Sequence, residues 1–221
     1  MGLILYGRIL SPFLARCVIA ANAKGVAVDV QVPKGGIKTP EFLKLNPLGL
    51  MPVLKDGRTV LYESAAIVAY LDAKSRKNPL RPKTPKAVVQ AGLPAAVTDN
   101  YVQGPAADLF RLKRGTAKNP VDPKAAGAAL MKGLDVLEQT LAKGKYAGGA
   151  KISVADCYIP PALVFATHTA AIFALGDIFA GRPKLAKYWK GIQKDKAVKP
   201  VVDAMNAMMA DALAGRLPPL Y

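Results

Sequence analysis

Ser11 stands directly before Pro12, just after the apolar run Leu3–Tyr6 and Gly7. Ser-Pro is an ordinary way to open a helix, with proline at the first helical position. A serine hydroxyl at a helix N-terminus can also hold a thiolate, because an O–H donor and the positive end of the helix dipole both favour an anion. The same pair therefore reads as a cap or as a catalytic group. Tyr6 offers a second hydroxyl inside the apolar run, and Cys17 a thiol six residues beyond Ser11. Glu63 and Ser64 put a carboxylate and a hydroxyl side by side before another helical pattern. Glu63 is one of only three glutamates, so it does not belong to an acidic face. It can offset a helix dipole and Ser64 can be an N-cap, but a helix start also suits a bound anion. Lys38, in the loop "GGIKTPEF", is one of 31 lysines and arginines, and loop lysines are commonly solvated. His168 is the sole histidine and lies in the apolar stretch "FATHTAAIF", where it reads as a hydrogen-bonded core or edge residue. One histidine and two distant cysteines, Cys17 and Cys157, argue against a histidine-based triad, a zinc site and a disulfide scaffold. No metal is expected.

The elements that must position these groups follow from the spacing of apolar residues and turn signals. "LILY" reads as a buried strand, and Gly7 to Leu10 turn the chain into a helix opened by Ser11-Pro12. Phe13, Cys17 and Ala20 are spaced along one face of it, and Asn22 and Gly25 stop it. "VAVDVQV" (26–32) alternates as a second strand. "PEFLKLNP" predicts a short helix ending at Asn46-Pro47, because the residue before proline resists helical geometry. "MPVLKDGRTVLYES" predicts a hairpin, Pro52–Leu54 and Thr59–Tyr62 about an Asp56-Gly57 turn, and "SAAIVAYLDAK" a helix.

The first 75 residues thus read β-α-β-α-β-β-α. Residues 76–85 form a proline- and cation-rich linker. Beyond it only helical patterns occur: about 86–114, 123–142 with a stripe of Leu130, Leu134, Leu137 and Leu141, 154–168, 184–194 and 199–214. An α/β domain followed by an all-α domain is expected. Ser153 and Asp156 have the spacing of a capping box, with Ile152 and Cys157 as its staple, and Pro160-Pro161 imply a kink.

The formal charge of +16 raises nucleic acid as a partner. Its distribution argues against that: residues 1–80 hold 11 cations and 5 acids, residues 81–221 hold 20 and 10, and no basic tail stands out. Aromatics, which single-strand binders interleave with charge, make up only 7%. The charge reads as a solvated basic surface, or as a field that draws anionic ligands. No apolar run reaches the roughly 20 residues of a membrane span, and the N-terminus lacks the pattern of a signal peptide. A soluble cytoplasmic protein with no membrane partner is expected.

With "SPFLAR", "LNPLGLMPVL", "YESAAIVAYLD" and "ISVADCY" in this order, the chain resembles the cytosolic glutathione transferases, in particular a serine-type class of bacterial or plant-like kind. The resemblance covers nearly the whole length. It is strongest over residues 3–72 and 146–158 and weak over about 86–115. It implies a thioredoxin-like, glutathione-binding domain over residues 1–75 and a helical domain over residues 86–221 that lines the electrophile site. It implies a cis Met51–Pro52 bond, with the Met51 backbone pairing with the cysteinyl part of glutathione. Glu63 would meet the free amine of the γ-glutamyl end and Ser64 its carboxylate, while Lys38 would reach the glycine carboxylate. Leu50 departs from the pattern, since lysine or glutamine often stands there. The capping box would begin the buried helix of the second domain.

By the same resemblance Ser11 is the catalytic hydroxyl. Tyr6 is the alternative used by other classes, although the residues after it differ here. Cys17 does not replace the cysteine that a cysteine-type class carries in place of Ser11. Arg16 would support the site electrostatically or form a structural ion pair. Phe13 would border glutathione and, with Leu10, Tyr101 and Phe110, line the pocket for a hydrophobic electrophile. The implied activity is conjugation or displacement by the glutathione thiolate, in a homodimer, with glutathione as co-substrate. The alternative is a non-catalytic ligand-binding or regulatory protein of the same fold.

Overall fold

The computed structural model describes residues 2–218 of the 221-residue chain. Two compact units form, one from Met1–Pro79 with Asp203–Tyr221 and the other from Leu80–Val202.

The first unit is built on a four-stranded sheet in the order β2-β1-β3-β4. Strand β1 (Leu3–Tyr6) pairs in parallel with β2 (Val28–Gln31) and antiparallel with β3 (Val53–Asp56), which forms a hairpin with β4 (Thr59–Tyr62). Parallel neighbours need a crossover, and helix α1 (Pro12–Lys24) supplies it before Gly25 ends it in the left-handed conformation. Helix α2 (Pro40–Leu45) is capped by Thr39, whose hydroxyl accepts from the Phe42 N–H, and helix α3 (Ser64–Lys74) follows the hairpin.

Side chains alternate across the sheet. Tyr6 and Val53, opposite one another, join Ile37 and Phe42 in one apolar cluster, which leaves Leu5 and Leu54 to the other face. Helices α1 and α3 pack on each other and are tied by a 2.7 Å ion pair between Lys24 and Asp72. The C-terminal segment returns to this unit, where the Arg8 guanidinium donates to the Pro218 carbonyl at 2.7 Å.

Two segments differ from what their sequence suggests. Strand β2 is shorter than residues 26–32, and Val30 and Val32 are exposed, because an edge strand has a neighbour on one side only. Phe13 does not share the buried face of Cys17 and Ala20; it is 37% exposed while they are fully buried. It belongs to the first turn of α1, where the Arg16 guanidinium stacks on its ring at 4.9 Å.

The second unit holds α4 (Pro85–Val97), α5 (Gly104–Lys113), α6 (Pro123–Thr140), α7 (Val154–Ile172) and α8 (Pro183–Ile192). Helix α9 (Lys199–Leu213) completes the order. The pattern over 86–114 is helical throughout, but Thr98–Gln103 winds as a π-helix between α4 and α5. Pro105 has no N–H to give the Tyr101 carbonyl, which favours a wider turn. That carbonyl lies against α6, where a Cβ on Gly133 would meet it at 2.2 Å. The stripe Leu130, Leu134, Leu137 and Leu141 is buried as expected.

Helix α7 continues through Pro160 and Pro161 to Ile172, and it is buried over most of its length, as a helix apolar all round should be. The Asp156 carboxylate at its start accepts from the Ser153 N–H (2.8 Å), the Ser153 hydroxyl (2.9 Å) and the Ala147 N–H (2.9 Å). Burial raises the Asp156 pKa, and these bonds oppose the rise. Among the described residues no helix is long and apolar enough to cross a membrane.

Candidate active site

Ser11 occupies the N-cap of α1 through its backbone: its φ and ψ are −66° and 120°, and its carbonyl accepts from the Ala15 N–H at 2.8 Å. Its side chain does not cap the helix. Among the described residues the Ser11 hydroxyl has no hydrogen-bond partner, and the first turn of α1 holds no acidic residue to neutralise the helix end. Tyr6 takes part instead in the packed cluster of Ile37, Phe42 and Val53.

A cleft of about 120 Å³ in the first unit is lined by Phe13, Asn46, Leu50, Met51, Pro52, Glu63 and Ser64. Five expected residues thus meet there, coming from α1, the loop before β3 and the start of α3. Ser11, two residues before Phe13, and Lys38 are not among its lining residues. The Met51–Pro52 peptide is cis, as the resemblance implies.

Glu63 precedes α3 with φ at +67°, a conformation that non-glycine residues rarely adopt and that marks a strained position. Its carboxylate is exposed, makes no capping bond and has no hydrogen-bond partner among the described residues. Ser64 is not the N-cap that its sequence position suggests; it is the first residue of α3, and it is buried. The N–H groups of this first turn have no partner within the helix and suit a carboxylate.

Lys38 is exposed, and its ammonium donates to the Leu48 carbonyl at 3.2 Å. It lies over Gly49, where a Cβ would sit 2.7 Å from the Lys38 nitrogen. Leu50 is 52% exposed, so it borders the cleft with an apolar side chain that can accept or donate nothing. Leu10 is buried in the first unit. In the second unit Tyr101 is 57% exposed on the π-helical stretch, and Phe110 is buried edge-on against Phe165 at 4.9 Å.

Asn46 and Gly7 enter the site only through the structure, since in sequence they read as a helix stop and a turn. The buried Asn46 amide donates to the Leu50 carbonyl at 2.8 Å, and its oxygen accepts from the Leu48 N–H at 3.1 Å. The dipeptide Asn-Pro before the cis proline is the available signal. Gly7 has φ of 151°, and a Cβ there would lie 2.3 Å from Leu14 and 3.3 Å from Met51. Any side chain would push α1 and the Met51 loop apart.

Cys17 lies beneath the cleft, fully buried, with its thiol 3.3 Å from the Phe13 carbonyl and 3.7 Å from the Ser64 carbonyl. Burial pushes its pKa far above the usual thiol value, against the opposing pull of Arg16. It stays a protonated thiol and is no substitute for Ser11. Among the described residues no group of three His, Cys, Asp or Glu side chains comes together to hold a metal.

Chemically, the cleft offers a carboxylate and helix-start N–H groups at Glu63 and Ser64, and the Ser11 hydroxyl, which caps nothing, stands two residues before Phe13 on its border. The model of the glutathione S-transferase N-terminal domain matches residues 5–79, and that of the C-terminal domain matches residues 101–190. Glutathione S-transferase 1 of Dianthus caryophyllus is 36% identical over 167 residues, covering 72% of this chain and 75% of its own. Glutathione S-transferase 3 of Zea mays is 32% identical over 212 residues, covering 91% and 93%. The solved structure of glutathione S-transferase I from mais, in complex with an atrazine glutathione conjugate, superposes with a TM-score of 0.75. It is 26% identical, covering 93% of this chain and 98% of that one.

Proposed function

The chain belongs to the glutathione S-transferase family, and from that premise we propose that Ser11 holds the thiolate of bound glutathione for attack on a hydrophobic electrophile. The chain is a glutathione transferase with a thioredoxin-like domain followed by a helical one. The observation that carries the role of Ser11 is the hydroxyl at the N-cap of α1 that caps nothing.

A free thiol with a pKa of about 8.5 is mostly protonated at neutral pH. A hydroxyl donor and a helix N-terminus both favour its anion and lower that value. The thiolate then attacks the electrophilic carbon. A carbon–sulfur bond forms, and either a leaving group departs or the electrons move into an acceptor that is later protonated.

Glutathione is held, on this reading, by the groups around Phe13 and the cleft. The Met51 backbone before Pro52 pairs with the cysteinyl unit. Glu63 receives the γ-glutamyl amine, and Ser64 with the N–H groups of α3 receives its carboxylate. Lys38 reaches toward the glycine carboxylate from the Leu48 carbonyl that now holds it. Leu10 and Phe13 border the electrophile on the first unit. The mais enzyme solved with an atrazine glutathione conjugate supports an apolar, displaceable electrophile.

The natural setting on this reading is detoxification in the cytoplasm by a homodimer. Val88, Val89 and Leu93, all about half exposed on α4, are the kind of apolar surface that a second subunit covers. A molar mass of one chain by light scattering would remove that part of the proposal. For the catalytic part, Ser11→Ala is expected to lower turnover about ten- to a hundredfold, the worth of one hydrogen bond to a charged group. Turnover equal to wild type would refute the role of Ser11.

A further inference from the structure

The Ser11 hydroxyl is only as well placed as the backbone that carries it, and most tethers on that backbone are local. The Gly7 N–H donates to the Gln31 carbonyl at 2.9 Å and ties the loop to the sheet. The Ser11 N–H donates to the Arg8 carbonyl at 2.9 Å, which closes residues 8–11 into a reverse turn. The Ser11 carbonyl accepts from the Ala15 N–H at 2.8 Å and joins that turn to α1. Leu10, in the middle of the turn, is buried.

One tether comes from the far end of the chain. The Arg8 guanidinium donates to the Pro218 carbonyl at 2.7 Å, across 210 residues. Arg8 is thus engaged twice: its carbonyl receives Ser11, and its side chain grips the C-terminal segment. Arg8 is not among the lining residues of the glutathione cleft.

The C-terminal segment arrives there by a directed route. Helix α9 is anchored near its end by the buried Met205, Met209 and Ala212. Gly215 then turns the chain with φ at 72°, a conformation that glycine adopts without strain. Its N–H donates to the Ala212 carbonyl at 3.2 Å, and the Arg216 N–H donates to the Asp211 carbonyl at 2.9 Å, the paired bonds of a Schellman ending. The Arg216 side chain also donates to the Asp211 carboxylate at 2.6 and 2.9 Å and holds the direction of exit. A proline at 218 restricts its own φ and disfavours a helical residue before it, so this strap has little freedom to lose on docking.

We propose, on the reading that Ser11 holds the thiolate, that Arg8 is a positioning residue: gripped by the Pro218 carbonyl, it fixes the turn that aims the Ser11 hydroxyl at the glutathione sulfur. Released from Pro218, the turn gains freedom and the hydroxyl spends less time in bonding geometry. The thiolate is then held less well. The γ-glutamyl end, at Glu63 and Ser64, is unaffected, so the loss falls on chemistry and not on binding.

The test is the ultraviolet titration of enzyme-bound glutathione, together with turnover of an aryl halide. The proteins are the full chain, Arg8→Gln, a chain ending at Gly215, that shortened chain carrying Arg8→Gln, and Ser11→Ala. Arg8→Gln is expected to raise the pKa of the bound thiol by about 0.5–1 unit and to lower kcat about three- to tenfold, the worth of one hydrogen bond. The KM for glutathione should stay within about twofold. The shortened chain should show the same shift, and adding Arg8→Gln to it should shift nothing further, because both changes break one contact. A wild-type titration in Arg8→Gln or in the shortened chain, with Ser11→Ala shifted, overturns the role of Arg8 and leaves that of Ser11 standing. Additive shifts in the combined variant overturn it as well, since Arg8 would then act as a remote charge and not as a tether. So does a loss confined to KM. An unshifted Ser11→Ala overturns the role of Ser11 and that of Arg8 with it.

Discussion

The side-chain amide of Asn46 holds the carbonyl of Leu50 at 2.8 Å, so the end of α2 fixes the residue that precedes the Met51–Pro52 bond. The same side chain receives the Leu48 N–H. Asn46→Ala takes the partner from two partly buried backbone groups. Such hydrogen bonds contribute about 0.5–1.5 kcal/mol each. Denaturant midpoints should fall accordingly, and the KM for glutathione should rise more than kcat drops, because the displaced group is the Met51 backbone and not Ser11.

Glu63 joins function to strain. Its φ of +67° favours glycine, and positions of this kind cost of the order of 1–3 kcal/mol. Glu63→Gly should therefore hold or raise the thermal midpoint while glutathione affinity falls by about tenfold or more, the worth of a charge-assisted bond. Glu63→Gln should weaken glutathione similarly without the gain in stability. A glycine variant that binds glutathione as wild type does would remove the carboxylate from the site.

Cys17 and Cys157 are both free and buried, and burial keeps the Cys17 thiol protonated. Native protein treated with iodoacetamide should keep both thiols and full turnover, and both should label once the chain is unfolded in urea. Rapid native labelling of Cys17 with loss of activity would mean that the floor of the cleft is open.

Asp56 accepts from the Tyr70 hydroxyl at 2.7 Å and pairs with Lys74, and bonds from Lys74 first and Tyr70 second lower its pKa. A carboxylate with a depressed folded pKa contributes stability above its unfolded value of about 3.9 and loses it as pH falls through the folded value. Asp56→Asn should therefore be less stable than wild type at neutral pH, and the gap in urea midpoint should close in strong acid. A gap that persists unchanged at low pH would assign the loss to packing.

Much of this was legible in the residues themselves. Apolar alternation, Ser-Pro, Asp-Gly and Asn-Pro mark the order of strands and helices in the first unit, because each is a local signal. The leucine stripe of α6 and the Ser153–Asp156 pair are local too. What stayed hidden depends on partners distant in the chain or on backbone geometry. Gly7 is needed because Leu14 and Met51 crowd it, and no spacing announces that. The positive φ of Glu63 and the π-helical turn at Thr98–Gln103 are backbone states that their side chains do not advertise. Phe13 reads as core by helical spacing, but the first turn of α1 leaves it exposed at the cleft.

The central claim is that the uncapped Ser11 hydroxyl stabilises a thiolate. Its most direct measurement is the pH titration of enzyme-bound glutathione, followed by the ultraviolet absorbance of the thiolate, in wild type and Ser11→Ala. The predicted result is a bound thiol with a pKa below the free value of about 8.5 that rises by about one to two pH units when the hydroxyl is removed. A Ser11→Ala protein that is folded, binds glutathione and titrates at the same pH as wild type would contradict the account.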